Sequence, residues 1–384
     1  MQIDWEENRL IARGLQSEQE WEALFGVMRE HRTGGLKTDD IPDAAMRQLS
    51  RLSHVTQLSI QATDEGMREL VNMPQLVDLE IGGSEITDDG LQVLPHLGEL
   101  RRFQSCWTRG ISDAGAAHLA GCHRLESVDL MGTETGDGLI RAMAGKLHLR
   151  QLKTGRCVSD TGIKLLHEIP VFKRWLGGEV RYGLMSADAK PNQLLVDGPF
   201  TDAGLAELAG LDGLFGLSLF WHSAGFSSAG LAHLRRLPKL GFLGCEGARC
   251  DDGALREIAA MPQLRMLMGQ GAVASDIGWE ALSQSESIEY IWGRECPNLT
   301  GRGFSKLAGM PALRGIGVSC KNVDDESLAL LPSFPVLREI VPMDFNDAGG
   351  SDMWGEARGW SGCGACTAGI RAMPQRSTLP SCRD

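Results

Sequence analysis

The stretch ITDDGLQVLPHL, residues 86–97, recurs along the chain with small changes. ISDAGAAHLAGC begins at Ile111, and VSDTGIKLLHEI begins at Val158. The shared block is an apolar residue, Thr or Ser, Asp, any residue, Gly and a second apolar residue. Its thirteen copies, some of them degenerate, begin at positions 41, 62, 86, 111, 134, 158, 200, 226, 250, 274, 299, 323 and 345. Eleven of the twelve intervals are 21 to 26 residues and one is 42, which indicates an array of stacked repeats.

The residue type at each position of the block has a physical role in starting a helix. The hydroxyl residues stand where a helix should begin and can cap its free backbone N–H groups, as in Thr87, Ser112, Ser159 and Thr201. The acidic residues that follow them favour the positive end of the helix dipole: Asp88, Asp113, Asp160 and Asp202. The glycine lets the first turn lie close to its neighbour. The block therefore predicts the start of a short helix in every repeat.

A short strand is expected after each helix and turn. In LVDLEI, residues 76–81, apolar and polar residues alternate, which predicts Leu79 and Ile81 in the core and Asp78 and Glu80 on the other face. One helix and one strand of about 24 residues cannot bury their own apolar stripe. Stacked units can, because their leucines meet in one continuous core.

These repeats resemble leucine-rich repeats. ITDDGLQVLPHLGEL and FTDAGLAELAGLDGLFGLSL are most similar to the cysteine-containing subtype found in F-box/leucine-rich-repeat proteins and in many bacterial repeat proteins. The resemblance covers roughly residues 41–349. It implies an α/β leucine-rich-repeat solenoid of about thirteen repeats, with parallel strands on the concave face and helices on the convex face. It also implies a non-enzymatic scaffold that binds a protein partner on its concave face.

The composition narrows the classes of partner. The chain has 38 basic and 50 acidic residues, a formal charge of −12, which argues against nucleic acid or an anionic membrane surface. The N-terminus has no signal-peptide pattern, and no apolar run of about 18 residues predicts a membrane span. Seven of the ten cysteines are scattered singly through the repeats. We interpret them as reduced thiols in the core, which favours the cytoplasm.

The first 40 residues precede the repeats and are predicted to form a helical cap. SEQEWEALFGVMREH, residues 17–31, reads as an amphipathic helix in which Ser17 and Glu20 form a capping box. A cap covers the first core layer of an array. The alternative is an adaptor motif such as an F-box, which would make the protein the substrate receptor of a ubiquitin ligase. The sequence contains no convincing F-box.

Two further segments break the pattern. The 42-residue interval contains about 18 extra residues, which we place at 183–199 as an irregular insertion whose QLLVDG can form an additional strand. Residues 350–384 lose the apolar periodicity and are rich in Gly, Ser and Cys. A flexible tail is one explanation for them. Translation out of frame near the natural end is another.

Motifs for chemistry are sparse. Cys363 and Cys366 form a lone C-x-x-C, which is half of a four-cysteine zinc site or a redox pair, and this leaves a metal-binding or redox protein as a second alternative. The recurring Asp residues can line up as a column able to bind cations, although capping explains each of them locally. We predict no catalytic residue, metal or cofactor.

The candidate binding site lies on the strands of the later repeats. The strand pattern puts Phe242, Met266 and Tyr290 in one column and Met268 and Trp292 in the next. Phe220 and Arg294 lie at the margin. If exposed together, these side chains form the kind of aromatic and methionine surface that binds proteins. A register slip of one residue would instead place them in the core. The early strands carry polar side chains at the same positions.

Overall fold

The structure, a computed structural model, describes residues 2–6, 8–83, 85–184, 186–187, 192–220, 223, 225–318 and 325–342. The chain divides into two compact units. Unit 1 comprises Met1–Arg174 and Asn192–Pro199. Unit 2 comprises Trp175–Pro191 and the residues from Phe200 on. The predicted tail, 350–384, lies outside the described residues.

Unit 1 contains a sheet of nine strands in the order β1 to β8 and then β11. The first two strands pair antiparallel, and every later pairing is parallel. The strands are β1 Gln2–Glu6, β2 Arg9–Arg13, β3 Gly35–Asp40, β4 Gln57–Gln61, β5 Asp78–Gly82, β6 Arg102–Gln104, β7 Ser127–Asp129, β8 Gln151–Lys153 and β11 Gln193–Val196. The α-helices of unit 1 are Glu18–His31, Asp43–Leu49, Asp64–Arg68, Asp113–Ala116, Asp137–Ala142, Asp160–Leu165 and Pro170–Lys173. Its 3₁₀-helices are Glu69–Asn72, Gly90–His96, Ala117–Gly121 and Leu166–Glu168.

Unit 2 contains a parallel sheet of six strands, β12 to β17, in sequence order. They are β12 Gly216–Leu219, β13 Phe242–Cys245, β14 Met266–Met268, β15 Tyr290–Gly293, β16 Gly315–Val318 and β17 Glu339–Pro342. A separate hairpin joins β9 Tyr182–Gly183 to β10 Ser186–Ala187. The α-helices of unit 2 are Asp202–Glu207, Asp252–Ala259, Asp276–Leu282, Gly301–Lys306 and Asp325–Leu328. Its described 3₁₀-helices are Ser228–Arg236, Gly247–Arg249, Leu307–Gly309 and Leu331–Ser333.

The predicted leucine-rich-repeat architecture is confirmed, because each unit repeats strand, loop and short helix with parallel strands in register. Leu79 and Ile81 are buried, whereas Asp78 and Glu80 lie on the opposite face of β5. The core also contains the apolar first letters of the blocks. Phe200 and Phe226, for example, stack with ring centroids 5.7 Å apart.

The segment before the repeats contains more than a helix. The helix Glu18–His31 begins with the expected capping box, in which Ser17 and Glu20 cap each other's backbone N–H groups. Strands β2 and β3 pair in parallel with each other, and β3 pairs in parallel with β4. Residues 2–40 therefore extend the same sheet by three strands.

The long interval is explained differently from the sequence prediction. QLLVDG forms β11, which pairs in parallel with β8 and is the regular strand of the repeat that begins at Val158. The extra residues precede this strand, after the helix Pro170–Lys173. The insertion therefore corresponds to 174–191 rather than to 183–199.

In many of the blocks, an aspartate bonds to the hydroxyl residue of the next repeat. Asp88 accepts hydrogen bonds from the backbone N–H of Ser112 at 2.7 Å and from its hydroxyl at 2.6 Å. The same pair of bonds joins Asp64 to Thr87, Asp137 to Ser159, Asp202 to Ser227, Asp252 to Ser275 and Asp276 to Thr300. Ser112, Ser159 and Thr201 cap their own helices, as predicted, whereas the helix that follows Thr87 begins at Gly90 and has no side-chain cap.

The glycine of the block makes room for this aspartate. A Cβ atom on Gly115 would lie 2.4 Å from the Asp88 carboxylate, and one on Gly162 would lie 2.1 Å from that of Asp137. Real carbon–oxygen contacts are not this short. The block thus encodes contacts between repeats, and the column of Asp residues is occupied by protein donors.

We predict that Asp88→Ala lowers the free energy of unfolding by about 2 kcal/mol, because two charge-assisted hydrogen bonds are lost and the Ser112 N–H loses its partner. Asp89→Ala is the matched control. Asp89 is exposed and accepts from the Gln92 side chain within its own helix. Urea unfolding followed by circular dichroism measures both variants. Equal losses for the two would contradict the assigned role of Asp88.

Candidate protein-binding faces

The strands of each unit present one face to the core and one face away from it, which we call the open face. In unit 2 the core face carries Leu243, Leu267 and Ile291, all fully buried. The open face carries the predicted columns in register: Phe242 beside Met266 beside Tyr290, and Met268 beside Trp292. These five residues are called the unit 2 stripe. Strands β13, β14 and β15 therefore carry apolar residues on both faces.

The side chains of this stripe are not exposed together. Met266, Tyr290 and Trp292 are only 3%, 7% and 5% exposed, and Phe242 and Met268 are half-buried. The reason is Leu184, which packs into a cluster with Met266, Tyr290 and Trp292. A register slip does not explain the burial of the stripe, because both columns lie on the open face as expected. A segment distant in sequence covers them.

We call residues 175–184 the covering segment. Trp175 and Tyr182 pack on Phe215, with ring centroids 5.3 Å and 6.0 Å away, and Tyr182 also packs against the Leu184 cluster. A Cβ atom on Gly241 would lie 2.3 Å from the Tyr182 hydroxyl, so glycine is needed there for the close approach. Beside these rings, Trp175, Val180, Tyr182, Phe215 and Arg265 line a cavity of about 260 Å³ together with neighbouring residues.

The two marginal residues are buried as well. Phe220 is 3% exposed and follows the end of β12 by one residue. Arg294 is 8% exposed and follows the end of β15 by one residue. The backbone ladder continues past the strands here, since the N–H of Gly271 donates to the carbonyl of Arg294 at 2.7 Å. Both residues thus lie at the edge of the stripe, as expected, but neither is exposed.

The open face of unit 1 is polar and carries charges of both signs. Its side chains form two rows across the strands: Gln57, Asp78, Arg102, Ser127, Gln151 and Gln193 in one, and Ser59, Glu80, Gln104, Asp129 and Lys153 in the other. Arg102 pairs with Asp78 at 2.8 Å, and Lys153 pairs with Asp129 at 2.7 Å. Residues of these rows line a cavity of about 300 Å³.

Thiol chemistry has little support among the described residues. Four of the six described cysteines are buried, namely Cys122, Cys245, Cys250 and Cys296, whereas Cys106 is half-buried and Cys157 is exposed. Burial raises the pKa of Cys122 to about 11 and that of Cys296 to about 12, so both thiols stay protonated at neutral pH. Burial and the neighbouring Asp129 also raise the pKa of Cys106.

No described group of three or more His, Cys, Asp or Glu side chains is arranged to hold a metal ion. Cys363 and Cys366 lie outside the described residues, so the zinc or redox hypothesis stays a prediction. The described part of the chain has no helix that combines the length and apolar character needed to cross a membrane.

A buried carboxyl group lies at the edge of the unit 2 stripe. Glu246 follows β13 by one residue and is 7% exposed. The backbone N–H of its neighbour Gly247 donates to the Gln270 carbonyl at 2.9 Å, so this position stays within the ladder. Burial raises the pKa of Glu246 to about 7. No sequence motif marks Glu246, because its burial depends on the fold.

The folded state therefore binds the Glu246 proton more tightly than the unfolded state does. The resulting stability is complete below pH 4.5, the ordinary value, and is lost as the pH rises through about 7. We predict that the free energy of unfolding falls by about 3 kcal/mol over this range from this group and that Glu246→Gln removes that fall. Urea unfolding between pH 4 and pH 8 measures it. The exposed Glu286→Gln is the control, and an unchanged fall in the Glu246 variant would contradict the assignment.

No protein-family profile and no curated protein matches the sequence. Among solved structures, the chain is similar to the yeast Rad7 and Elc1 complex, with 17% identity, a TM-score of 0.48, and coverage of 81% of this chain and 86% of that one. It is also similar to the internalin InlF of Listeria monocytogenes, with 16% identity, a TM-score of 0.45, and coverage of 85% and 89%.

A third similar structure is the complex of TLR13 with the single-stranded RNA ssRNA13, at 13% identity and a TM-score of 0.49. The match covers 88% of this chain and 53% of that one. At these identities and scores the likenesses carry no argument about function. The assignment of a leucine-rich-repeat fold rests on the repeats, the parallel register and the bonds between repeats described above.

Proposed function

We propose that this protein is a non-enzymatic scaffold that binds a protein partner on the open face of its strands. The observation that carries the proposal is the open face of unit 1. Two rows of polar side chains stand at strand spacing on this face, and ion pairs join Arg102 to Asp78 and Lys153 to Asp129. In a leucine-rich-repeat solenoid this face is the concave one.

The chemistry of this face suits a protein surface. It offers carboxylates, two guanidinium groups, an ammonium and amides within one cavity. Charges of both signs set the orientation of a partner and exclude poorly matched surfaces. A formal charge of −12 disfavours a polyanion such as nucleic acid as the partner.

The contacts proposed in unit 2 are Phe220, Phe242, Met266, Met268, Tyr290, Trp292 and Arg294. Trp, Tyr, Met and Arg side chains are enriched at interface cores, and a few of them usually supply most of the binding energy. Because Leu184 of the covering segment packs on Met266, Tyr290 and Trp292, a partner reaches these three side chains only after the segment has moved.

Charge reversal on the open face of unit 1 tests the scaffold proposal. We expect Arg102→Glu combined with Lys153→Glu to reduce capture of the partner at least tenfold, because both side chains line the cavity and pair with acidic neighbours. The measurement is affinity capture from an extract of the source organism, with mass spectrometry to quantify the bound proteins. Circular dichroism first establishes that every bait is folded.

Arg47→Glu combined with Arg68→Glu is the matched control. Both arginines lie on helices, are exposed and pair with glutamates. Because two cations are again replaced by two anions, the change in net charge equals that of the test variant. This variant should capture as much partner as the unmodified protein. Equal capture by all three baits would refute binding through the open face of unit 1.

A further inference from the structure

The unit 2 stripe already holds a ligand-like occupant. Leu184 is buried among Met266, Tyr290 and Trp292, and Tyr182 packs beside it. The other nine residues of the covering segment are exposed or half-buried, and Leu176 is 62% exposed. Leu184 and Tyr182 therefore supply the apolar contacts of the segment with the stripe.

The backbone of the covering segment is not part of the large sheet. Its strand β9 pairs with β10 in a separate two-stranded hairpin, and the described strand pairings do not join β9 to any strand of the parallel sheet. Lifting the segment therefore breaks side-chain contacts without breaking that ladder. Gly177 and Gly178 precede Tyr182 and Leu184, and glycine permits a wide range of backbone directions there.

The stripe itself is unusual within this chain. The same open-face positions in unit 1 carry Gln, Ser, Asp, Glu, Arg and Lys, whereas unit 2 has Phe, Met, Tyr and Trp at successive positions. The neighbouring Gly315 leaves room for the Tyr290 ring, since a Cβ atom there would lie 2.7 Å from it. Strand geometry alone does not require an apolar open face, as unit 1 shows. The apolar residues of the stripe therefore complement the apolar side chains that pack on it, Leu184 and Tyr182.

We propose that the covering segment is a displaceable occupant of the unit 2 stripe, and that the stripe binds an extended peptide segment of a partner with an aromatic residue and a leucine two positions later. The in-chain Tyr182-Gly183-Leu184 shows the spacing and the chemistry that the stripe accepts. The partner segment replaces Leu184 and Tyr182 on the same side chains. This rests on the proposed function in that the ligand is a protein segment.

A labelled peptide with the sequence of residues 179–187, EVRYGLMSA, is the probe. It is titrated into the full chain, and fluorescence anisotropy reports binding. In the unmodified protein the tethered segment competes at an effective concentration in the millimolar range, which suppresses binding. Leu184→Ser weakens that competitor, and we expect this variant to bind the peptide at least tenfold more tightly than the unmodified protein.

Three controls distinguish specific binding at the stripe from non-specific hydrophobic binding of the peptide. Leu176→Ser makes the same chemical change at an exposed leucine of the covering segment and should leave binding as weak as in the unmodified protein. A peptide with Ser in place of its leucine should not bind the Leu184→Ser variant. Adding Trp292→Ala to that variant should reduce peptide binding at least tenfold.

A folded Leu184→Ser variant that does not bind the peptide overturns the proposal. If that variant does not fold, Tyr182→Ala combined with Leu184→Ala is tested instead, since it introduces no polar group. Failure of both to fold also overturns the proposal, because the covering segment is then an integral part of the core. These outcomes are independent of the charge-reversal test, because its variants leave the stripe intact.

Discussion

The fold depends on one hydrogen-bonding interaction that recurs between successive leucine-rich repeats. An aspartate at the start of one helix accepts from the N–H and the hydroxyl of the Ser or Thr that begins the next, as Asp88 does from Ser112. The hydroxyl residue caps its own helix at the same time. Helix starts are thereby tied to each other at the spacing of the strands. Where a carboxylate fills the space in which a side chain would begin, as at Gly115 and Gly162, the fifth position of the block has to be glycine.

This interaction leaves the open face available for variation. The core face and the helix starts hold the repeats in place, so residues on the other face of the strands can change without loss of the fold. The open face of unit 1 carries rows of polar side chains with ion pairs. That of unit 2 carries an apolar stripe, which a short segment of the same unit covers. One scaffold thus presents two chemically different open faces.

The unit 2 stripe also has a cost in stability. Glu246 lies at its edge in a buried position that raises its pKa to about 7. Near neutral pH part of that carboxyl group is ionised in a site where burial disfavours the charge. Packing of the stripe against Leu184 contributes in the opposite direction by removing Met266, Tyr290 and Trp292 from water.

The sequence by itself determined the architecture, because the signals for it are local and periodic. The recurring block predicted the helix starts, the alternation in LVDLEI predicted the two faces of a strand, and the column of Phe242, Met266 and Tyr290 has the expected register. Ser17 and Glu20 were enough to predict a capping box. Each of these depends on residues a few positions apart or one repeat apart.

Only the tertiary structure decided which of these surfaces is accessible. Leu184 is more than 80 residues before Met266 in the chain, and no periodic pattern connects them. The same holds for the aspartates, whose partners in the next repeat are invisible in a single copy of the block, and for Glu246, whose burial depends on packing. Contacts of this kind form between residues that the fold brings together from distant parts of the chain. A local or periodic sequence pattern does not predict them.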